Sequence, residues 1–327
     1  MRVLLTGAFG NVGISAVREL LAQGHAVQCF DLPTRVNRKS AQQFAGQVEV
    51  VWGDIRREAD VVAAAVGQEV VIHLAAIIPP LSEVRPDWSR SVNVGGTRHI
   101  LSAIMAQPTP PRLIYASSVA LFGRDQDPPL VRSVSDPIRP SDQYTEHKIE
   151  CEHLVRESGL TWAILRFGHV VPVALDGKDP RLMFREMFDI PLTQPTEIVH
   201  TADAGLALAN AVGNLDIWGR VLLIAGGSSC QLLYREFLSA TLDVMGIGMF
   251  PERAFGSAPF HTHWMDTAES QRLLCYQRHT FQDHLREMAA TQRYRRYLVR
   301  ALRPLIRRWI LQQSPHYQKR RAVATQK

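Results

Sequence analysis

The stretch that decides the fold lies at the N-terminal end and reads Val3-Leu4-Leu5-Thr6-Gly7-Ala8-Phe9-Gly10-Asn11-Val12-Gly13. The apolar run Val3–Thr6 predicts a strand, and apolar residues at helical spacing predict a helix over Asn11–Gln23. Gly7 would allow a tight turn, Gly10 would let backbone N–H groups approach a phosphate, and Gly13 would let the helix pack closely on the strand. The free N–H groups at the start of the helix favour an anion. The pattern predicts a dinucleotide-binding turn, and an ordinary glycine-rich turn is the alternative.

An acidic residue follows at the position where such a turn needs one. Asp31 ends the next predicted strand, Ala26–Phe30, and lies 24 residues after Gly7. A carboxylate there accepts hydrogen bonds from the adenosine ribose and repels a 2′-phosphate, so it predicts NAD rather than NADP. Arg35 is close enough to accommodate a phosphate, which keeps NADP as the alternative cofactor. A turn-capping role is the alternative for Asp31.

Strand and helix patterns alternate along the first half of the chain. Further strands are predicted at Val48–Trp52, Val70–Leu74, Arg112–Ala116 and Thr161–Arg166, and further helices at Arg56–Val66 and Gln143–Glu157. This order predicts an α/β fold with a doubly wound parallel sheet. We expect residues 1–170 to form the dinucleotide-binding domain, with 199–225 returning to it. Residues 171–198 and 226–290 would form a small substrate lobe, and 291–327 a basic helical tail.

Composition and charge exclude several classes of protein. The 327 residues include four widely spaced cysteines, a pattern that argues against a zinc site and a disulfide framework, and we expect no bound metal. Of the 37 Lys and Arg residues, 11 lie within residues 291–327, which contain no Asp or Glu. The rest of the chain is mildly acidic, so we expect no nucleic-acid partner. With no signal peptide and no apolar run of membrane-spanning length, a cytoplasmic location is expected.

Seven motifs then fall in order and resemble the NAD-dependent epimerase/dehydratase family, also called the extended short-chain dehydrogenases/reductases, over residues 1–290. These are Thr6–Gly13, Gly53-Asp54-Ile55, His73-Leu74-Ala75-Ala76, Asn93-Val94-Gly95-Gly96-Thr97, Ser117-Ser118 with Gly123, Tyr144-Thr145-Glu146-His147-Lys148, and Val199-His200-Thr201-Ala202-Asp203. The resemblance implies a Rossmann fold and a bound NAD. The cofactor contacts that it implies, with the Asp31 predicted above, are Thr6, Gly7, Phe9, Gly10, Asn11, Val12, Gly13, Asp31, Asp54, Ile55, Leu74, Ala75, Ala76, Asn93, Ser117, Tyr144 and Lys148.

Three residues are the candidate catalytic group. Tyr144 and Lys148 are four residues apart and therefore share one face of a helix. A phenol titrates near 10, and we expect the neighbouring ammonium to lower its pKa. Tyr144 could then exchange a proton with a hydroxyl while a hydride moves. The resemblance adds Ser118, which would hydrogen-bond the substrate oxygen, and a ribose contact for Lys148. A packed tyrosine and a solvated lysine are the alternative.

The expected partner is a small-molecule substrate. Departures from the family's motifs narrow its chemical class. Val119 and Ala120 stand where the family's sugar-nucleotide dehydratases carry an Asp-Glu pair, so dehydration is not expected. His169 replaces the asparagine typical of sugar-nucleotide members, and Glu197 lies in a segment that lacks their arginine and would repel a phosphate. The sequence predicts an NAD(P)-dependent oxidoreductase acting on a secondary alcohol or ketone. The alternatives are a nucleotide-sugar epimerase that reduces NAD transiently, and a non-catalytic dinucleotide-binding regulatory protein.

The basic tail combines an apolar side with many arginines. The expected apolar side comprises Tyr294, Leu298, Ala301, Leu302, Leu305 and Trp309, and it is widened by Tyr297, Ile306 and Ile310. Pro304 should kink or restart the helix. This pattern is typical of a helix that lies in a membrane interface, so residues 291–313 could hold the protein peripherally on the anionic inner face of the membrane. The alternatives are docking on the protein body and pairing with a second copy in a homodimer.

Overall fold

The computed structural model describes residues 1–124, 130–172 and 180–317. The strands are β1 Arg2–Thr6, β2 Ala26–Asp31, β3 Glu49–Trp52, β4 Val70–His73, β5 Arg112–Ser118, β6 Val131–Arg132, β7 Trp162–Phe167, β8 His169–Val171, β9 Pro195–His200, β10 Val221–Ile224, β11 Gln231–Leu233 and β12 Trp264–Met265. The helices are α1 Asn11–Ala22, α2 Arg35–Ala41, α3 Glu58–Ala65, α4 Leu81–Val84, α5 Pro86–Arg90, α6 Gly96–Met105, α7 Gln143–Glu157, α8 Pro180–Asp189, α9 Thr201–Gly213, α10 Tyr234–Val244, α11 Ala268–Leu274, α12 Phe281–Thr291, α13 Arg295–Ala301 and α14 Arg303–Leu311.

A seven-stranded parallel sheet forms the centre of the molecule, in the order β10-β7-β5-β4-β1-β2-β3. The predicted doubly wound α/β fold is confirmed, and the predicted elements differ from the observed ones by at most two residues at either end. The strand order reverses between β1 and β4. In an open sheet of this kind a ligand crevice lies beyond the carboxyl ends of the strands at that reversal.

Both faces of the sheet are covered by helices, as a parallel sheet of mostly apolar strands requires. On one face α1 and α9 pack against the strands, and on the other α3, α6 and α7 do so. Residues 199–225 supply α9 and β10 to this body. Gly205 of α9 lies so close to α1 that a Cβ atom there would be 2.5 Å from the carbonyl carbon of Ser15.

A smaller lobe is built from the small sheet β11-β9-β8 and from α8, α10 and α12. It has its own apolar core, to which α8 contributes Phe184, Met187 and Phe188 and α10 contributes Phe237 and Leu238. The predicted lobe segment 171–198 includes residues 173–179, which lie outside the described residues.

The tail forms two helices, α13 and α14, that dock on this lobe. Pro304 lies in the first turn of α14, so the helix restarts there as expected. Ile310 is only 1% exposed and belongs to the lobe's core, and Arg307 donates hydrogen bonds to the carbonyl oxygens of Gly248 and Met249 at 2.6 and 2.8 Å. Residues 318–327 of the tail lie outside the described residues.

The predicted apolar side of the tail is divided between solvent and the lobe. Leu298, Leu302 and Leu305 are 53–68% exposed, whereas Val299 and Ile306 contact the lobe's core. The reason is that two arginines of α14 point toward the lobe and bond its backbone, which turns the leucines outward. None of the helices within the described residues is both long and apolar enough to span a bilayer.

Candidate active site

The glycine turn has the geometry that a phosphate site needs. Gly7 has a φ of +69°, and a Cβ atom there would lie 2.9 Å from the nitrogen of Ala75. A Cβ atom at Gly13 would lie 2.3 Å from the carbonyl oxygen of Gly7, so only glycine lets α1 approach the turn. Gly10 is the N-cap residue of α1, and no side chain caps the helix. The first N–H groups of α1 therefore remain available to phosphate oxygens, and the turn fits a dinucleotide.

Asp31 lies beside this turn, at the carboxyl end of β2. Its carboxylate accepts hydrogen bonds from the N–H groups of Phe9 and Leu32, at 2.9 and 2.8 Å, and from the amide of Asn37 at 2.9 Å. Burial raises the pKa of this carboxyl, and the two backbone N–H groups act against the shift. Arg35 lines the same end of the cleft. The end of the cleft where the adenosine ribose would lie thus presents both the carboxylate of Asp31 and the guanidinium of Arg35.

Asp54 and Ile55 also line the cleft, where the resemblance implies the adenine. The Nε atom of Arg56 donates to both carboxylate oxygens of Asp54 at 3.0 Å, and this hydrogen bonding is the main reason why the pKa of Asp54 lies below its usual value. The carboxylate is therefore held by a neighbour within its own loop.

Two residues expected to contact the cofactor do not line the cleft. Thr6 is completely buried, and its hydroxyl lies 2.8 Å from Nδ1 of His73 and accepts from the N–H of Ala75 at 3.2 Å. The side-chain amide of Asn93 accepts a hydrogen bond from the N–H of Ile77 at 2.7 Å and donates one to the carbonyl oxygen of Ile77 at 2.9 Å. Both side chains hold the loop after β4, and that loop lines the cleft. The other expected cofactor residues do line it: Gly7, Phe9, Gly10, Asn11, Val12, Gly13, Asp31, Asp54, Ile55, Leu74, Ala75, Ala76, Ser117, Tyr144 and Lys148.

The three candidate catalytic side chains meet on the wall of the same cleft. Ser118 ends β5, and Tyr144 and Lys148 lie on α7. The Nζ atom of Lys148 lies 5.9 Å from the ring centroid of Tyr144 and donates to the carbonyl oxygen of Ala116 at 2.6 Å. Burial raises the pKa of Tyr144 to about 12, although a hydrogen bond with Ser118 acts in the opposite direction.

The expectation that Lys148 lowers the pKa of Tyr144 is corrected by this arrangement. The phenol is buried, and that burial outweighs the Ser118 hydrogen bond, while the lysine ammonium is directed at a backbone carbonyl. Burial also lowers the pKa of Lys148 itself to about 8. At neutral pH Tyr144 is therefore a protonated phenol, which suits it to donate a proton.

The start of α7 is fixed by an acid that the sequence analysis missed. The carboxylate of Glu83 accepts the N–H groups of Gln143 and Tyr144, at 3.1 and 3.2 Å. Asp142 caps the same helix by accepting the N–H of Thr145 at 2.9 Å. Glu83 lies 61 residues before Tyr144, and no spacing in the sequence signals the contact.

A buried ion pair supports Ser117 from below the cleft. The Ser117 hydroxyl donates to Glu152 at 2.7 Å, and Arg166 donates to both oxygens of the same carboxylate at 2.8 Å. Glu152 follows Lys148 by four residues on α7, so its helical spacing was a signal that the sequence analysis did not use. The pair joins β5, α7 and β7 next to the candidate catalytic side chains.

Beyond these residues the cleft opens into the small lobe, giving a total volume of about 1630 Å³. The lobe side of the wall is mostly apolar and comprises Val171, Met183, Phe184, Met187, Ile190, Phe237, Leu238, Leu242 and Met245. Polar residues also line that side, and they include His169, His261, Glu186, Thr196, Tyr234, Thr241 and Thr262. The Nδ1 atom of His261 has no hydrogen-bond partner among the described residues, and burial lowers the pKa of this histidine to about 4.

Glu197 does not face the cleft, so the expected phosphate repulsion is wrong. Its buried carboxylate accepts the N–H groups of Gly227 and Met265, both at 2.8 Å, and the amide of Gln231 at 3.0 Å. Burial raises its pKa to about 7. Glu197 joins β9 to its neighbouring segments and has no contact with the site.

A second group of polar residues lies away from the cleft. Ligand atoms of His200, Asp203 and His279 lie within 4.8 Å of one another. The two imidazole rings stack with centroids 4.3 Å apart and an interplanar angle of 19°, so their in-plane lone pairs do not converge on one point. Asp203 also accepts the N–H groups of Arg278 and His279, at 3.0 and 2.9 Å. This cluster joins α9 to the start of α12 through hydrogen bonds. The expectation of no bound metal stays a prediction.

Comparison with known proteins agrees with this geometry. The model of the NAD dependent epimerase/dehydratase family matches residues 3–185. The "3-beta-hydroxysteroid dehydrogenase" of Mycolicibacterium neoaurum is 31% identical over 244 residues, which are 70% of this chain and 63% of that protein. The "3 beta-hydroxysteroid dehydrogenase/Delta 5-->4-isomerase" of Mycobacterium tuberculosis is 34% identical over 201 residues, 58% of this chain and 50% of that protein. The chain thus spans less than two thirds of either relative.

Solved structures show the same fold. The UDP-glucuronic acid 4-epimerase of Bacillus cereus, in complex with UDP-glucuronic acid and NAD, superposes with a TM-score of 0.74 over 90% of this chain and 100% of that one, at 22% identity. The glycine turn, the strand order and the family model lead to one conclusion: the chain belongs to the NAD dependent epimerase/dehydratase family.

Proposed function

We propose that the protein is an NAD-dependent dehydrogenase or reductase that acts on a secondary alcohol or ketone carried by a large apolar skeleton. The observation that carries this proposal is the meeting of Ser118, Tyr144 and Lys148 at the boundary between the glycine-turn cleft and an apolar wall. A dinucleotide in the cleft and an apolar molecule in the lobe would both reach these three side chains.

Each of the three side chains has a distinct task. NAD, when bound, supplies or takes the hydride. Tyr144 donates a proton to the substrate oxygen during reduction and takes it back during oxidation. Ser118 hydrogen-bonds the same oxygen and stabilises the charge that develops on it. Lys148, held by the carbonyl oxygen of Ala116, orients the nicotinamide ribose beside the phenol.

The apolar wall supports the substrate class. Within the described residues, the lobe side of the cleft is lined by methionine, phenylalanine and leucine side chains and by no lysine or arginine. A diphosphate needs cationic partners, whereas a fused-ring or long-chain alcohol gains by burying apolar area. Two relatives named for 3β-hydroxysteroids fit this class. Val119 and Ala120 carry no group that could remove water.

The acid at the end of β2 supports NAD as the cofactor. The carboxylate of Asp31 would accept the ribose hydroxyls and repel a 2′-phosphate. Arg35 lines the same end of the cleft and would favour a phosphate, so the preference depends on the balance of the two.

A cofactor and substrate screen tests the proposal. The purified protein is mixed with NAD or NADP and with a panel of 3-hydroxysteroids, long-chain secondary alcohols and UDP-sugars, and NADH formation is followed by absorbance. We expect NADH formation with an apolar alcohol and a rate at least about 100-fold lower with Tyr144→Phe. Interconversion of UDP-sugars without net NADH would establish the epimerase instead. Tight NAD binding without turnover on any member of the panel would favour a regulatory protein.

A further inference from the structure

The outer face of the tail exposes an unusual concentration of apolar side chains. Of the 20 large apolar side chains exposed in the described residues, six lie within 16 positions of the tail. These six, called the tail face below, are Tyr294, Tyr297, Leu298, Leu302, Leu305 and Trp309. Exposed apolar patches of this density mark interaction sites.

The orientation of the tail face is set by a specific docking site on the lobe. Arg303 donates to the carbonyl oxygen of Ile247 at 2.9 Å, and Arg307 donates to the same oxygen at 2.9 Å. Gly248 has a φ of +71°, and a Cβ atom there would lie 2.1 Å from the guanidinium of Arg303. Because the arginines fill this site, α14 cannot rotate its leucines toward the lobe.

The charged side chains of the tail itself are all basic. Residues 291–327 carry 11 Lys and Arg residues and no Asp or Glu. Arg293, Arg300 and Arg308 are exposed beside the apolar side chains. Apolar side chains flanked by arginines match the surface of a bilayer, where acyl chains lie below anionic headgroups.

The same charge disfavours a second copy of the chain as the occupant. A two-fold interface places one patch against itself, so arginines would face arginines with no acid from the tail between them. Trp309 and tyrosines at the edges of the tail face are the side chains that favour a membrane–water interface. We infer that the tail face binds the surface of an anionic phospholipid bilayer.

The tail face adjoins the wall of the cleft. Phe184 of α8 lines the cleft and also contacts the ring of Trp309, edge to face, with centroids 5.9 Å apart. A bilayer bound to the tail would therefore lie beside the apolar half of the cleft. This consequence rests on the proposed function, whereas the membrane contact does not.

Sedimentation with lipid vesicles tests the inference. The full chain is mixed with vesicles of phosphatidylcholine alone, or of phosphatidylcholine with an equal part of phosphatidylglycerol, at low and high salt. We expect binding to the mixed vesicles that weakens with salt, and little binding to phosphatidylcholine. The triple variant Leu298→Asn, Leu302→Asn, Leu305→Asn should bind about tenfold more weakly or worse. Arg293→Gln, Arg300→Gln, Arg308→Gln should have a similar effect.

A matched variant and a measure of mass complete the test. Val66→Asn, Met105→Asn, Leu215→Asn removes three exposed apolar side chains elsewhere and should bind like the wild type. Unchanged thermal unfolding and NAD affinity would show that the tail variants are folded. The inference is overturned if the wild type ignores anionic vesicles, if the leucine variant binds them equally well, or if light scattering shows that the wild type is a dimer which the leucine variant dissociates.

Discussion

Lys148 donates a 2.6 Å hydrogen bond to the carbonyl oxygen of Ala116, two residues before Ser118 on β5. This bond ties the helix that carries the phenol to the strand that carries the serine. The ammonium lies 4.7 Å from the ring centroid of Tyr115, and the Lys148 side chain is buried at the wall of the cleft. Lys148 therefore fixes the distance between α7 and β5 at the site, and it also contributes a positive charge there.

Replacing the phenol of Tyr144 should lower turnover and leave the affinity for NADH nearly unchanged. Tyr144→Phe should lower turnover about 10²- to 10⁴-fold, because the proton donor is lost while the ring still packs. NADH affinity, measured by fluorescence titration, should change little. Tyr297→Phe, an exposed tyrosine in the tail, is the matched control and should keep full turnover. Near-normal activity of Tyr144→Phe would remove this residue from the mechanism.

The cofactor preference should depend on Asp31. Asp31→Ser removes the carboxylate that would repel a 2′-phosphate and leaves Arg35 in place, so the ratio of NAD to NADP efficiency should fall about tenfold. Steady-state kinetics with both cofactors measures this ratio. Asp216→Ser, an exposed acid in the short turn after α9, should leave the ratio unchanged. A ratio unaffected by Asp31→Ser would mean that this acid only supports the turn through Phe9.

The contact between α1 and α9 should tolerate no side chain at Gly205. Gly205→Ala would place a Cβ atom 2.5 Å from the carbonyl carbon of Ser15, and the overlap should lower the free energy of unfolding by about 1–3 kcal/mol. Gly213→Ala in the same helix meets no atom within 4 Å and should be neutral or slightly stabilising. Urea denaturation of the two variants checks the difference. Equal stabilities would show that the helices can separate at little cost.

Acid should destabilise the protein through His73. Burial lowers the pKa of His73 to about 3, whereas the unfolded chain titrates near 6.5. The unfolded state then binds more protons below pH 6.5, so stability is complete above that pH and falls as the pH drops. The loss from His73 alone should reach about 2 kcal/mol at pH 5. His73→Gln should remove this part of the pH dependence in unfolding experiments, and an unchanged slope would assign the acid sensitivity to other groups.

The fold and the cleft beside the glycine turn were predictable because their signals are local. The turn from Thr6 to Gly13 is specified within a few residues, and so is the shared helix face of Tyr144 and Lys148 on α7. Glu83 could not be found in this way, because it contacts α7 across 61 positions. The role of Glu197 was missed for a similar reason, because the three groups that donate hydrogen bonds to it come from other segments. Its position before the Val199–Asp203 motif indicated only that it would repel a phosphate. The outward face of the tail depends on a docking site beside Gly248, which no helical pattern within the tail encodes.

Ile310 sits inside the apolar core of the small lobe, among side chains of α8 and the segment around Phe250. The C-terminal helices thus cover part of that core, and a shortened chain ending before α13 would leave Phe184 without its contact with Trp309. Trimming this end to obtain a more tractable protein would damage the apolar compartment in which we propose that the substrate binds, so a truncated chain would not report the substrate preference of the full chain.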